Sequence, residues 1–396
     1  MKFKVALSTF QIGLQKVVPA LPRKSTLPVL EHIHFSLNDD VLQIIATDQD
    51  ITIQTTVNVE GEMGGEILVP GRRLIEMVKA LGTEGALDFS TNDDNYEITI
   101  QTKNPVGRYS MKGLSHTEFL RIPELVESAK PNVDENGVLI KGENKLAAFF
   151  KQEDITKIAT KTVYAVSTDE FRPAMNGVFF QFRENYLNAV ATDSFRLVKA
   201  VLKHEQTEYP KDLDIIMPAR AMEVLKKVDG DLIMSFIDSR GKKTHARFDF
   251  GDSVFISRLI DENFPPYESV IPEDSEFKVL LNQSELLAAV NRVSILTSEI
   301  SHQIRVHLEN NTFTVLGEDE ETGAHAVETL NCDYTGNHFE IAFNSRYLKD
   351  AVENLGGETK DDLIEIRFTE QNRPVILKPN IESEDLLMLI MPVRLR

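Results

Sequence analysis

One pattern, an apolar strand that turns directly into an amphipathic helix, occurs three times and constrains what this chain can fold into. In the first copy the strand runs into Pro70, and Leu74 and Val78 then recur at the spacing of a buried helical face. Proline suits this place because its fixed φ fits the first helical turn, where the NH that it lacks would have no partner. In the third copy, Asn344 and Ser345 are expected to start the helix by side-chain capping instead. The three copies are residues 67–81, 215–228 and 341–352.

The segments that flank this pattern also repeat, so we do not attribute the recurrence to chance. A two-strand element ends in Ala46-Thr47-Asp48 in the first third of the chain and in Ala191-Thr192-Asp193 in the second. Each third opens with a strand followed by a helix. The first opens with strand 3–7 and a Ser- or Thr-capped helix at 8–18, and the second opens with strand 137–141 and a helix containing Leu146, Phe149 and Phe150. The third opens with strand 277–281 and a helix capped by Asn282 or Ser284. The sequence therefore predicts an α+β fold of three repeated domains, each with two helices packed on antiparallel sheets, at residues 1–125, 136–265 and 275–396.

Length and composition agree with three full-sized cores. A chain of 396 residues holds about three domains of ordinary size. No apolar run is long enough for a signal peptide or a membrane span, so we expect no membrane association. The single cysteine, Cys332, excludes internal disulfides and a cysteine metal cage, and we expect a cytoplasmic protein.

The formal net charge of −19 argues, by itself, against binding to nucleic acid, since phosphate contact needs clustered lysine and arginine. The distribution of charge points the other way, because the predicted helices carry a positive excess while the rest of the chain is strongly acidic. The helices are therefore the candidate surface for a polyanion. Ordinary solvated helix faces are the alternative interpretation of the same charges.

The sequence contains no catalytic or metal-binding constellation, so we expect no enzyme activity, no cofactor and no metal. His32 and His34 lie two apart in a predicted strand without further ligands nearby. Residues 241–244 resemble the end of a phosphate loop, but the required glycine is missing and a hairpin turn fits better. Asp48 and Asp193 each end a strand before a turn, where aspartate commonly bonds its own backbone. A hydrolase that uses these two acids is the weakest hypothesis.

Several motifs in a fixed order carry a resemblance that covers essentially the whole chain. They are Thr26–Leu30, Phe171–Pro173 followed by Asn176-Gly177, Ala191–Leu197, Phe264–Tyr267 and Met391–Arg394. With these motifs the chain resembles the bacterial DNA polymerase III β subunit, the processivity sliding clamp. The resemblance implies a head-to-tail homodimeric ring with helices around the hole and sheets outside. Such a ring holds double-stranded DNA by encircling it, while screened phosphate contacts leave it free to slide.

The resemblance also implies three groups of site residues. Positions that face DNA, without reading its sequence, are Lys24, Arg72, Arg73 and Arg220, and the helix pattern adds Lys16, Lys79 and Lys226. A second group forms a pocket for a short peptide. The peptide would come from the replicative DNA polymerase, the clamp loader, repair enzymes and other clamp-binding-motif proteins. The pocket residues are Met175, Thr192, Ser194, Phe195, Arg196, Leu197, Pro265, Val270, Leu389, Met391, Pro392, Val393 and Arg394. The dimer interface is formed by Arg73, Met77, Arg108 and Tyr109 against Ile295, Leu296, Glu299 and Glu318 of the other subunit.

Two departures from the family pattern affect the pocket. Phe195 stands where the family usually has histidine, and Val198 stands where a small residue is common, so one side of the pocket is expected to be narrower or more apolar. A non-enzymatic DNA clamp is thus the leading hypothesis. A multidomain protein–protein scaffold without nucleic-acid binding is the alternative that the overall charge alone would favour.

Overall fold

A computed structural model describes residues 1–124, 131, 133, 147–203, 210, 212–239, 242–273, 277–356, 362–380 and 385–395. Its contacts divide the chain into two compact units, Met1–Gln152 with Val228–Leu259, and Glu153–Lys227 with Ile260–Arg396. The predicted second domain contributes residues to both units, and the predicted domain boundaries stay predictions. None of the described helices is long and apolar enough to cross a membrane.

The described residues contain six α-helices, as the sequence predicts. They are α1 (Leu7–Val17), α2 (Gly71–Ala80), α3 (Gln152–Thr162), α4 (Ala219–Leu225), α5 (Gln283–Ser294) and α6 (Ser345–Leu355). Leu74 and Val78 lie on the buried face of α2, which confirms the predicted stripe. Arg73 and Lys79 lie on its exposed side.

Helix starts differ in how their first NH groups are satisfied. Asn282 caps α5 and Asn344 caps α6, each accepting a backbone NH of the first turn at 3.0 Å. The predicted serine or threonine cap of α1 is wrong, because α1 begins after Ala6, which makes no side-chain cap. The NH of Leu7 donates instead to the carbonyl of Gly85 at 3.0 Å, so a neighbouring chain segment replaces the cap.

The helix predicted around Phe149 and Phe150 is also wrong. Both residues lie in a short strand, and the helix α3 follows it from Gln152. A short apolar run does not distinguish a strand from a helix by periodicity alone, which explains the error. Leu146 and the strand predicted at 137–141 lie outside the described residues.

The strands up to the start of α4 are β1 (Lys2–Ala6), β2 (His32–Asn38), β3 (Val41–Thr47), β4 (Ile51–Asn58), β5 (Glu60–Met63), β6 (Gly65–Pro70), β7 (Ala86–Asn92), β8 (Glu97–Lys103), β9 (Val106–Lys112), β10 (Ala148–Phe150), β11 (Gly177–Arg183), β12 (Tyr186–Thr192), β13 (Arg196–Lys203) and β14 (Leu213–Pro218). The later strands are β15 (Leu232–Ser239), β16 (Lys242–Phe250), β17 (Ser253–Arg258), β18 (Phe277–Asn282), β19 (Gln303–Glu309), β20 (Thr312–Asp319), β21 (Ala324–Asn331), β22 (Phe339–Asn344), β23 (Leu363–Phe368), β24 (Val375–Pro379) and β25 (Leu386–Ile390). Every neighbouring pair is antiparallel, as in β12–β13 and β13–β25.

Two eight-stranded sheets, one in each unit, have the same strand order. The sheet of the first unit runs β6-β2-β3-β4-β17-β16-β15-β10, and that of the second runs β14-β11-β12-β13-β25-β24-β23-β18. In each sheet, four strands of one repeat are followed by four strands of the next repeat. The sheets therefore join successive repeats edge to edge and confirm the internal repetition.

The two remaining sheets correspond to the two halves of this order. The sheet β22-β19-β20-β21 in the second unit matches the first four positions, and β9-β8-β7-β1 in the first unit, extended by β5, matches the last four. The strands that would meet at the centre of a complete sheet are β21 and β9. Within the described residues, each of them is a sheet edge.

Candidate functional site

The β12–β13 turn, residues 192–196, lies at the centre of the predicted peptide pocket and is called the pocket turn below. Thr192 Oγ1 donates to the carbonyl of Arg196 at 2.7 Å. Asp193 Oδ1 accepts the backbone NH groups of Phe195 and Arg196 at 2.9 and 3.0 Å. Ser194 takes a left-handed φ of 79° at the tip. The carboxylate of Asp193 is thus used to build the turn, which confirms its structural interpretation.

The side chain of Arg196 is held between two acids and two aromatic rings. Its guanidinium donates to Asp193 Oδ2 at 3.0 Å and to Asp350 Oδ2 at 2.5 Å. The same group lies 5.2 Å from the ring centre of Tyr164 and 4.8 Å from that of Tyr347. Burial raises the pKa of Tyr164 well above its ordinary value, so this phenol stays protonated. Arg196 is therefore a fixed wall of the pocket.

A second arginine supports the outer side of the pocket turn. Arg172 donates to Ser194 Oγ at 2.9 Å and to Asp169 Oδ2 at 2.8 Å. Ser194 Oγ in turn lies 3.4 Å from the sulfur of Met175. The half-buried Met175 side chain is thereby placed beside the tip of the turn.

The floor of the pocket is an apolar cluster. Its buried members are Val190, Leu197, Tyr267 and Leu389, against which Phe179, Phe264, Ile271, Leu387 and Met391 pack. Phe179 and Phe264 stack with ring centres 4.7 Å apart. Leu389, only 3% exposed, is part of this core, whereas Val270 is 47% exposed and is not a member of the cluster.

Phe195 presents an aromatic surface at the rim. Its side chain is 52% exposed, and its ring stacks on Tyr347 with centres 6.0 Å apart. A ring at this position is apolar and carries no charge, so the rim is more apolar than a histidine would make it. Val198, the other departure from the family pattern, is buried and contributes to the core.

The end of the chain continues the floor of the pocket. Strand β25 pairs with both β13 and β24, and its last three residues are buried, so this part of the tail belongs to the core of the sheet. Beyond it, the NH of Met391 donates to the carbonyl of Phe195 at 2.8 Å, and that of Val393 donates to Ala342 at 2.8 Å. Pro392 is half-buried and Arg394 is exposed. Arg396 lies outside the described residues.

All thirteen predicted pocket residues belong to the second unit, and the structure brings part of the set together. Leu197, Leu389 and Met391 share the apolar cluster, and Met175, Thr192, Ser194, Phe195 and Arg196 lie at or beside the pocket turn. Val393 and Arg394 bond instead to Ala342 and Gln303. Sequence reasoning did not identify Tyr164, Tyr347 and Asp350 as partners of Arg196. Tyr347 lies in the third copy of the repeated pattern, but no local pattern connects these three residues to Arg196. Phe264 and Tyr267 belong to one of the sequence motifs, but the motif does not predict that they lie in the floor of the pocket.

The predicted DNA-facing residues differ in availability. Lys24, Arg73, Lys79 and Arg220 are exposed, while Lys226 is half-buried at the end of α4. The guanidinium of Arg72 donates to the carbonyls of Leu21 and Pro22 at 3.1 and 3.2 Å. The ammonium of Lys16 lies 2.5 Å from Asp252 Oδ1. Arg72 and Lys16 therefore already have partners within the first unit.

The positive charge of the helices is concentrated on two of them. In its observed bounds, α1 has a lysine and no acid, and α2 has more basic than acidic residues. Helices α3, α4, α5 and α6 each contain equal numbers of acidic and basic residues. The predicted positive excess is thus confined to the first repeat.

Of the predicted dimer residues, Arg108 and Tyr109 lie on the open-edge strand β9, and α5, which ends just before Ile295, packs on the other open-edge strand, β21. Ile295 and Leu296, at the end of α5, are 78% and 39% exposed. Three further exposed apolar side chains, which the sequence did not single out, are Ile300, Val327 on β21 and Val106 on β9, at 85%, 58% and 92% exposure. Apolar side chains concentrated near an unpaired strand are typical of an interface.

Charged residues near these edges are partly paired already. Arg108 is exposed on β9, and Tyr109 and Met77 are half-buried. Glu299 is exposed, whereas Glu318 contacts Arg305 of its own sheet. An arginine from another chain would share Glu318 with Arg305.

Both histidines of β2 contact other residues of the first unit. His32 Nδ1 lies 3.0 Å from the carbonyl of Pro28, and His34 Nε2 lies 3.3 Å from Glu66 Oε2. The ring of His34 stacks on Phe119. Over the part of the chain that the structure describes, no group of three or more His, Cys, Asp or Glu side chains is arranged to hold a metal ion.

Comparison with sequence families gives three adjacent matches. Residues 1–123 match the N-terminal domain of the DNA polymerase III beta subunit, residues 150–266 match its central domain, and residues 268–394 match its C-terminal domain. Together they cover most of the chain in the order of the three repeats. Three clamp domains of helices and antiparallel sheets are the predicted fold class, which is confirmed.

Named relatives and solved structures extend over the full length. The beta sliding clamp of Staphylococcus epidermidis is 27% identical over 404 residues, covering 100% of this chain and 99% of that protein. That of Staphylococcus aureus is 26% identical over 403 residues with the same coverage. The Bacillus subtilis DNA polymerase sliding clamp superposes with a TM-score of 0.87 at 25% identity, covering 100% of both chains. The Pseudomonas aeruginosa sliding clamp, 23% identical with a TM-score of 0.85 and complete coverage of both chains, shares the fold.

Proposed function

The chain belongs to the DNA polymerase III beta subunit family, and we propose that it acts as a sliding clamp, a non-enzymatic ring of two copies around duplex DNA. The observation that carries this proposal is the strand order. Two sheets are complete with eight strands, and the two that remain are complementary halves of the same sheet. A second copy offers each half its missing partner.

In the proposed ring, β21 of one copy pairs with β9 of the other, and the contact occurs twice. Closure of this kind removes the open strand edges that would otherwise invite aggregation. Ile295 and Leu296 would be covered by Met77 and Tyr109 of the partner copy. Arg73 and Arg108 would face the acids at 299 and 318.

DNA is held in this proposal by enclosure, with sequence-independent phosphate contacts in a supporting role. The exposed side chains of Lys24, Arg73 and Lys79 are the best candidates in the first repeat, and the candidates in the second are the exposed Arg220 and the half-buried Lys226. Arg72 and Lys16 are expected to contribute less, because their cationic groups already bond within the chain. Few net contacts suit a ring that must slide.

The pocket beside the pocket turn would receive short peptides from the replicative polymerase, the clamp loader and other proteins with a clamp-binding motif. An apolar floor with a fixed arginine wall and an aromatic rim suits one or two large apolar anchors. The rim at Phe195 favours an aromatic or aliphatic residue there over a charged one. The cytoplasmic location predicted from the sequence is part of this proposal.

Retention on nicked circular DNA tests the ring. After loading by a matched clamp loader, the protein should stay with the circle through gel filtration and leave when a restriction enzyme linearises it. Retention should also persist at a salt concentration that abolishes binding to a linear duplex, because enclosure does not depend on phosphate contacts. Equal retention on circular and linear DNA would refute enclosure, and no retention on either would favour the protein scaffold.

A further inference from the structure

The β3–β4 turn of the first repeat has the same geometry as the pocket turn. Thr47 Oγ1 donates to the carbonyl of Ile51 at 3.0 Å, and Asp48 Oδ1 accepts the NH groups of Asp50 and Ile51 at 3.1 and 2.9 Å. Gln49 takes a φ of 81° at the tip, close to the value of Ser194 in the pocket turn. The strands that follow the two turns also occupy equivalent places in the two eight-stranded sheets. The first unit therefore contains a structural equivalent of the pocket turn.

A cavity of about 280 Å³ lies beside this first-repeat turn. Thr47 and Gln49 line it in the places that Thr192 and Ser194 take around the pocket turn. Ile256 lies opposite Thr52 in the β17–β4 ladder, as Leu389 lies opposite Leu197 in the β25–β13 ladder. Pro123 completes the lining from the segment that closes the first repeat, at a place in the sequence that corresponds to Pro265 in the second. The volume is close to the lower end of ligand sites, about 300 Å³, and suits one or two side chains.

The chemistry of this first-unit cavity differs from that of the pocket. Thr52 replaces Leu197 in the floor, and Asp50 replaces Phe195 at the rim. Arg121, with an exposed side chain, and His245 line the cavity, and Arg258 lies opposite His245 in the β16–β17 ladder. Arg121 and Asp50 are thus the charged side chains of the lining, and the guanidinium of Arg258, close to His245, adds positive charge nearby.

The histidine supplies hydrogen bonding more than charge. Burial lowers the pKa of His245, and the guanidinium of Arg258 lowers it further, so the imidazole is neutral at pH 7. Its Nδ1 already lies 2.9 Å from Thr244 Oγ1. Arg121 therefore provides the positive charge of the lining, with the guanidinium of Arg258 nearby, and Ile122 and Ile256 provide apolar surface.

We propose that this cavity is a second peptide site, which takes an extended segment with a carboxylate side chain next to an aliphatic one. The carboxylate would pair with Arg121, and the aliphatic side chain would enter between Ile122 and Ile256. The proposal rests on the proposed function, in that the equivalent position in the second unit is taken to bind peptides. A partner with two such segments would engage both positions and gain avidity.

The probe is an acetylated, fluorescein-labelled pentapeptide of alternating glutamate and leucine, with a glutamine-for-glutamate peptide as its control. Anisotropy titrations at low salt should show the glutamate peptide binding at least about tenfold more tightly, since an ion pair with arginine is lost in the control. Arg121→Glu should weaken binding of the glutamate peptide about tenfold or more, and Arg121→Gln should weaken it by a smaller factor. Lys103→Glu, an exposed charge reversal in the same unit that does not line the cavity, should leave it unchanged.

Deletion of Met391–Arg396 separates the two sites. If the proposal is right, this deletion leaves binding of the glutamate peptide intact even though it removes the tail from the pocket. Loss of binding on deletion would mean that the peptide occupies the pocket, and would overturn the second site while leaving the clamp proposal standing. Equal affinity for the two peptides, or an unchanged Arg121→Glu protein, would also overturn it. Since Arg121 is exposed, its variants are expected to keep the melting temperature of the parent protein.

Discussion

Replacing Ile295 by aspartate should dissociate the proposed dimer without unfolding the chain. The side chain is 78% exposed in the single chain, so the substitution should change the free energy of unfolding by no more than about 0.5 kcal/mol. In the ring the same side chain would be covered by the partner copy. Burial of an isoleucine stabilises an interface by about 1.5–3 kcal/mol, and a carboxylate there loses that gain.

The loss is counted twice because a two-membered ring has two copies of the interface. The total, about 3–6 kcal/mol, raises the dimer dissociation constant about 100-fold to 10,000-fold, at 1.4 kcal/mol for each factor of ten. Sedimentation velocity over a dilution series measures this shift directly. At the lowest concentration at which the parent protein is fully dimeric, Ile295→Asp should sediment as a monomer.

Ile12→Asp is the matched control. Ile12 is 61% exposed on α1 and lies outside the proposed interface, so this variant should remain dimeric. A change of less than tenfold for Ile295→Asp would refute the placement of this residue at the interface. Equal dissociation of both variants would show that added negative charge, and not lost apolar contact, separates the copies.

Three further predictions follow from the pocket and from β2. Deletion of residues 391–396 should abolish polymerase stimulation in a primer-extension assay while sedimentation still shows a dimer; loss of the dimer would contradict our placement of the tail. Asp193→Asn should lower the midpoint of thermal unfolding, because it weakens the pocket turn and the pair with Arg196. The variant should still be retained on circular DNA. Loss of a hydrolytic activity in this variant would instead revive the hydrolase hypothesis. Burial lowers the pKa of His34 below its unfolded value of about 6.5, so protonation favours the unfolded state and the free energy of unfolding should fall as pH drops below that value. His34→Phe keeps a ring that can stack on Phe119 and should flatten this dependence in urea unfolding; an unchanged slope would assign the effect to other groups.

The features that the sequence predicts well are those with local chemistry. The pocket turn is an example, because Thr192 and Asp193 each hydrogen-bond within four residues of themselves, and the same residue types at Thr47 and Asp48 make the same turn. Side-chain oxygens that reach nearby backbone NH groups leave a short, recognisable signature. The equivalence of the two turns in different repeats is therefore predictable from the amino-acid sequence alone.

The features that the sequence does not predict depend on distant residues. Arg196 is held by Tyr164, Asp350 and Tyr347, which lie far from it in the chain and share no spacing with it. The sequence predicts a helix at Phe149, where the chain forms a strand, because the pairing partner of that strand, β15, begins more than eighty residues later. Local periodicity carries no information about such a partner, so tertiary pairing decides the outcome.

Strand order separates two hypotheses that composition leaves open. A net charge of −19 agrees with a protein scaffold as well as with a ring whose acidic residues face away from DNA. Charge on the helices does not decide between them either, since among the six helices of the described residues only α1 and α2 carry a positive excess. The chain has two complete sheets and two complementary half-sheets. A scaffold of independent domains does not require this arrangement, whereas a closed pair of copies completes every sheet. Enclosure then makes strong attraction to phosphate unnecessary, so a strongly acidic chain is compatible with holding DNA.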